Sequence, residues 1–189
     1  MTRWGTGASG IVLVVCVAGA GACPASAASK SSHDSIETAG TVVAFALPVA
    51  AGAITASKDD WDGLAKLAVV TAATVGTSFA LQHVIREERP DGSDDHSFPS
   101  NTSALAFAPA QFLWNRYGWQ YGLPAYAAAG FVGYSRVESE QHHWWDVAAS
   151  AGISWGFNKW LTNRYYSPDI YGTASLLPGG GYVGISYRF

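Results

Sequence analysis

The chain has 189 residues, 49 % of them apolar and 13 % charged, with a formal charge of -3. That length suffices for one domain with a sizeable core, and the charge excludes a basic nucleic-acid-binding surface. A mean hydropathy of +0.10 is low for a polytopic membrane protein. The first segment reads as an export signal: Arg3 supplies positive charge, residues 11–22 form an apolar run, and Ala25-Ser26-Ala27 fits the small-residue cleavage pattern. Residues 1–27 are therefore assigned as a signal peptide, with Ala28 the first mature residue. Cys16 and Cys23 both fall inside it, so the exported chain would carry no thiol and no disulfide. The run is short for an uncleaved anchor. Ala20-Gly21-Ala22 also lacks the large aliphatic residue usual before a lipid-modified Cys23.

Residues 35–57 form an Ala/Gly-rich apolar stretch opened by Ser35 and Glu37. Asp59, Asp60 and Asp62 make an acidic turn suited to the N-terminus of the next helix. That helix is predicted from Leu64 to about Glu88, stopped by Pro90 and the turn pair Asp91-Gly92. A polar loop follows, and then Ser100-Asn101 caps an apolar run over residues 104–114, with Pro109 inside it. Residues 121–137 and 142–163 give two more helix candidates, separated by the polar stretch 138–141. Five helices are thus predicted, over residues 28–166. The tail, 167–189, is predicted as a β-hairpin: residues 173–177, the glycine-rich turn Pro178-Gly179-Gly180-Gly181, then the alternating residues 182–189. Most apolar runs fall below the ~20 residues of a clean bilayer span. The expectation is a mainly α, exported, periplasmic bundle that touches a membrane.

Three polar segments lie at the ends of these apolar helices. In the last, His142 and Asp146 stand four apart; on a helix they share a face, where the carboxylate can accept the imidazole proton and fix its tautomer. The other ring nitrogen is then free to attack or to bind an oxyanion. Arg136, at the end of the preceding helix, carries a donor fork suited to phosphate. Ser100 and Asn101 open a helix whose first amides can hold an anion. Arg89 sits beside Pro90 at another helix end. Each feature alone is an ordinary cap, pair or surface arginine. Together they suit phosphate or vanadate, where catalysis is mostly positioning and charge stabilisation.

The stretch Ser135-Arg136-Val137-Glu138-Ser139-Glu140-Gln141-His142-His143-Trp144-Trp145-Asp146 is similar, in full, to the third motif of the type 2 phosphatidic acid phosphatase / vanadium haloperoxidase superfamily, Ser-Arg-x5-His-x3-Asp. Arg89-Pro90 and Pro99-Ser100 resemble parts of its first and second motifs, Lys-x6-Arg-Pro and Pro-Ser-Gly-His. The resemblance covers residues 59–163 and implies a helical bundle with His142 as phosphohistidine nucleophile. By the same resemblance Asp146 orients it, and Arg89, Arg136, Ser100 and Asn101 line the phosphate site. It implies a phosphorylated small molecule or lipid as substrate, membrane contact, no metal and no other cofactor.

Two positions depart from the family pattern. Gln82 stands where the first-motif lysine belongs, and Thr102 where the second motif has the histidine that protonates the leaving group. General acid catalysis is typically worth ~10²–10⁴ in rate, so the site is expected to bind phosphate and turn over slowly. His96, in the loop before Ser97, is the first candidate to replace the acid, ahead of His83 and His143. A phosphatase acting on an ester or diphosphate is the leading reading. A weakened or inactive pseudoenzyme that binds a phosphorylated ligand or envelope partner is the second, and a vanadium-dependent peroxidase the third. Trp144 and Trp145 are read as core packing before lipid contact.

Overall fold

The structure is a computed structural model. It describes the backbone over residues 25–165, 170–177 and 180–187, and side chains over residues 33–165. Most of the assigned signal peptide, Cys16, Cys23 and the Pro178-Gly179 part of the predicted turn lie outside the described residues. Five helices follow in order: α1 (Ala25–Ser57), α2 (Trp61–Val84), α3 (Asn101–Tyr117), α4 (Trp119–Glu138) and α5 (Trp144–Leu161). Beyond them β1 (Ile170–Leu177) and β2 (Gly180–Tyr187) pair antiparallel, from Ile170 opposite Tyr187 to Leu177 opposite Gly180.

α3 is the central post. It packs against all four other helices, which contact one another around it in the order α1, α2, α5, α4. Its inward residues are small: Ala104, Ala106, Ala108 and Ala110 are fully buried beside Phe112. Small side chains let helix axes approach closely, and the core is completed by Ala44, Ala51, Leu67, Ala129 and Val132. Gly118, at φ 92°, ends α3 and starts α4 in one residue; a side chain would be strained at that angle. Gly40 serves close approach instead. A Cβ there would lie 1.8 Å from Ser135 Oγ, so glycine is what lets α1 close on the end of α4.

Three boundaries differ from expectation. α2 stops at Val84, because Ile85 turns extended and caps Leu81, while Glu87 bridges to His96 and its carbonyl accepts from Ser97 N. α5 begins at Trp144, so His142 lies in the preceding loop. Asp146 is in the first turn, and its carboxylate accepts from the amide of His143, which caps the helix. α1 begins earlier than its apolar run suggested, at Ala25 rather than Ser35. His33–Ser57 and Trp61–Val84 are both long and apolar enough to cross a bilayer.

Around the apolar core, the outer surface is also apolar along much of its length, and several buried positions are polar. Only 28 % and 22 % of the two apolar windows are buried, so most of their apolar surface faces outward. Val42, Phe45, Val49, Val69, Phe79 and Leu123 are exposed, whereas Thr74, Ser78, Gln111, Ser150, Ser154 and Asn158 are buried. The buried hydroxyls of Thr74, Ser150 and Ser154 return bonds to carbonyls one turn back, Val70, Asp146 and Ser150. This satisfies them without water. The chain is a helical bundle with two helices, among the described residues, that suit association with a membrane.

The end of the bundle formed by the C-terminus of α1 is closed by a buried ion pair. Arg116 holds Asp60 with two bonds, Nε to Oδ2 at 2.7 Å and Nη2 to Oδ1 at 2.5 Å. Tyr117 adds its hydroxyl to Asp60 Oδ2 at 2.7 Å. Burial pushes the Asp60 carboxyl upward, but Arg116, Tyr117 and the Gly63 amide outweigh it and hold it below its ordinary value.

Candidate active site

The other end gathers the N-termini of α1, α3 and α5, the C-termini of α2 and α4, and the loop 85–100. The three sequence segments meet here. Ser100 N donates to Asp146 O at 3.4 Å, Asp91 N to Glu140 O at 3.1 Å, and His142 N to Arg136 O at 3.2 Å. Local sequence explains each approach. Ser100 caps α3 with its hydroxyl, accepting from Ser103 N. This leaves the Asn101 and Thr102 amides as first-turn donors. α4 ends as Ser139 N folds back on Ser135 O, which delivers the 139–143 loop beneath α3.

His142 and Asp146 are 4 % exposed and fully buried, respectively. Their expected direct bond is not the shortest contact. His142 Nδ1 lies 2.8 Å from the carbonyl of Ser97 and 3.6 Å from Asp146 Oδ2. A carbonyl can only accept, so Nδ1 carries the proton and Nε2 carries the lone pair. Asp146 acts beside this bond. Its Oδ2 accepts from Ser97 Oγ at 2.5 Å and from His143 N at 2.8 Å. Burial raises the Asp146 carboxyl, yet His142, Ser97 and the His143 amide together bring it below its ordinary value. Ser97 is thus a site residue that motif reasoning passed over. Its signal was a polar residue in the loop immediately ahead of Pro99-Ser100.

Arg136 is buried and points at α1. Nη2 donates to Glu37 O at 2.5 Å and Thr41 Oγ1 at 3.1 Å, and Nη1 to Gln141 Oε1 at 3.0 Å. A phosphoryl oxygen would reach this fork by replacing Gln141. Burial lowers the Arg136 guanidinium, Glu37 opposes this, and Arg89 adds to it; the two arginines are therefore electrostatic neighbours. Arg89 uses its Nε edge on Asp94 Oδ1 at 2.8 Å. Gln82 and Asn101 brace each other: Gln82 Nε2 donates to Pro99 O at 2.8 Å, and Asn101 Nδ2 to Gln82 Oε1 at 2.5 Å. Of the histidines considered as replacement acids, His96 pairs with Asp95 at 2.9 Å and meets the His83 ring at 5.4 Å. His143 is the one drawn to the site, 3.6 Å from Asp146 Oδ2. Trp144 and Trp145 are exposed, not core.

The comparisons with known proteins bear on this arrangement. The pattern of the PAP2 superfamily matches residues 39–167, more than half of the chain and the whole of the site. The chain belongs to the PAP2 superfamily. Within it, the chain is 33 % identical over 141 residues to a lipid A 4'-phosphatase of Helicobacter pylori, covering 69 % of this chain and 71 % of that protein. It is 38 % identical over 69 residues to a lipid A 1-phosphatase of Porphyromonas gingivalis, 34 % of this chain and 15 % of that one. Among solved structures it is similar to Aquifex aeolicus LpxE, at 17 % identity and a TM-score of 0.49, over 63 % of this chain and 82 % of that one.

Proposed function

We propose that this PAP2 protein is a membrane-embedded phosphatase acting on a phosphorylated lipid, with His142 as nucleophile. One observation carries the reading: the Ser97 carbonyl at 2.8 Å holds the proton of His142 on Nδ1, so the nucleophilic nitrogen is Nε2. Nε2 attacks phosphorus, the P–O bond to the lipid breaks, and the resulting imidazolium is stabilised by the buried Asp146 carboxylate. Arg89, Arg136 and the first amides of α3 receive the phosphoryl oxygens. Water then hydrolyses the phosphohistidine. The lipid A phosphatases among the relatives support a lipid-linked ester as substrate, as does an apolar belt that keeps such a substrate's chains in the bilayer while its phosphate reaches a polar end.

The orientation follows from two independent features. An export signal ahead of α1 would carry the N-terminal end of α1 outward, and the site lies at that end. The second is that the site's loop 85–100 is polar, so it lies outside the apolar belt; with the signal cleaved, the site would face the periplasm.

The test compares wild type with His142→Ala on a lipid phosphate in detergent. Phosphate release by the wild type that drops at least about a hundredfold in the variant supports the enzyme. Release indifferent to the substitution removes His142 from the mechanism. A specific observation favours the pseudoenzyme as second reading: Gln82 and Asn101, which occupy motif positions, are spent on bracing α3. Ligand binding without release would establish it.

A further inference from the structure

We propose that Glu87, His143 and Asp146 form a binding site for a divalent cation of the zinc type, beside the imidazole site and beyond the phosphatase reading. The resemblance calls for no metal, so this assignment rests on geometry. One ligand atom from each of the three residues lies within 4.8 Å of the others. His143 Nδ1 is 3.8 Å from Glu87 Oε1 and 3.6 Å from Asp146 Oδ2. At zinc bond lengths, tetrahedral ligand atoms stand roughly 3.3–3.5 Å apart, so the two histidine pairs need to close by a few tenths of an ångström, and the two carboxylates, within 4.8 Å of each other, must draw together as well.

Two further observations point to a missing partner. His143 Nδ1 is buried with no hydrogen-bond partner. Asp146 is fully buried, and its Oδ1 also has none. Glu87 Oε1 and Asp146 Oδ2 face the His143 nitrogen, Oδ2 also accepting from Ser97 Oγ and the His143 amide, while Arg86 and Arg89 are engaged by Asp95 and Asp94. The supports are in place too. Trp145 stacks on the His143 ring at 4.3 Å and 9°, and its Nε1 donates to Glu87 Oε1 at 2.7 Å. One side chain therefore orients two ligands. An imidazole with two carboxylates suits zinc and leaves a fourth position for water, whereas magnesium prefers an all-oxygen shell. Through Asp146 the cation would draw charge from the carboxylate that faces His142.

The test is calorimetric titration of tag-free, full-length protein in detergent with zinc chloride, and with magnesium chloride as control. One equivalent of zinc is expected to bind, with affinity reduced at least about tenfold in both His143→Ala and Glu87→Gln, retained in His96→Ala, and no magnesium heat. Trp145→Phe keeps the stack, loses the bond to Glu87, and should fall between. No zinc uptake by wild type, or unchanged binding in the two ligand variants, would overturn the site. Loss of binding in His96→Ala would overturn it in favour of the His83/His96 pair. The readout is independent of turnover, so a protein that hydrolyses nothing still decides the question.

Discussion

At the scale of single residues, the site is governed by which oxygen meets which nitrogen. Because the tautomer of His142 is set by a main-chain carbonyl, Asp146→Asn should retain the ring orientation and lose the negative charge. Turnover is expected to fall in that variant while phosphate affinity changes little, a split between kcat and KM that steady-state kinetics reads directly. Thr102 marks the missing acid. Thr102→His should raise the rate on poor leaving groups by up to ~10² and leave good leaving groups nearly unchanged. Equal effects on both would mean that proton delivery does not limit this enzyme. These positions were readable in the sequence because their spacing is specific: Ser135 to Asp146 carries the family pattern complete. Ser97 and Glu37 were harder to read, since each acts in part through its backbone carbonyl, and any residue type supplies one. The histidine positions were hard to read for a related reason. Loop position suggested reach, whereas the salt bridge to Asp95 and the cap of α5 decide where the two rings sit.

At the scale of elements, close approach and capping do the positioning. Gly40→Val places a branched side chain where Ser135 Oγ now sits. It should push α1 off α4, release Arg136 from Glu37 and Thr41, and destabilise by ~1–3 kcal/mol. Thermal unfolding together with phosphate affinity checks this, and a rigid displacement predicts loss of both. At the far end, Asp60→Ala removes two of the bonds of Arg116 and leaves it the exposed Asp62 as acidic partner, a loss of up to ~3–5 kcal/mol. The same pair sets an acid limit. The folded Asp60 carboxyl titrates below its ordinary value of 3.8, so its contribution is complete above about that pH and is lost as pH falls further. An acid melt of wild type should therefore steepen there, and an Asp60→Asn melt should not. Helix number and order were legible from apolar runs and caps, but two ends were misjudged. Arg89-Pro90 suggested that α2 reached Glu88, whereas the bridge from Glu87 to His96 had already turned the chain. Tertiary pairing of that kind leaves no local signature.

At the scale of the whole molecule, the question is what solvent the outer surface meets. Composition alone favoured water, because mean hydropathy averages a polar loop and a polar interior with an apolar exterior. The structure separates them, and five exposed tryptophans lie near the two ends, Trp144 and Trp145 by the site and Trp61, Trp119 and Trp160 opposite, while Phe45, Phe131 and Trp155 are exposed along the helices between. Amphipathic rings at two levels suit two membrane interfaces. Sidedness is directly measurable, since the exported chain would be free of cysteine. Single cysteines at Ser93 and Gln120, exposed at opposite ends, should be labelled by an impermeant reagent in intact spheroplasts at Ser93 only. Labelling at Gln120 alone would invert the orientation.

The enclosure of α3 has a bearing on biogenesis. It is the least apolar of the five helices, with Gln111, Asn115 and Arg116 in its second half. Presented singly to lipid, a segment of that make-up would partition back to water. Its residence in the bilayer is therefore a product of assembly: the surrounding four helices must supply the environment that its own transfer energy does not.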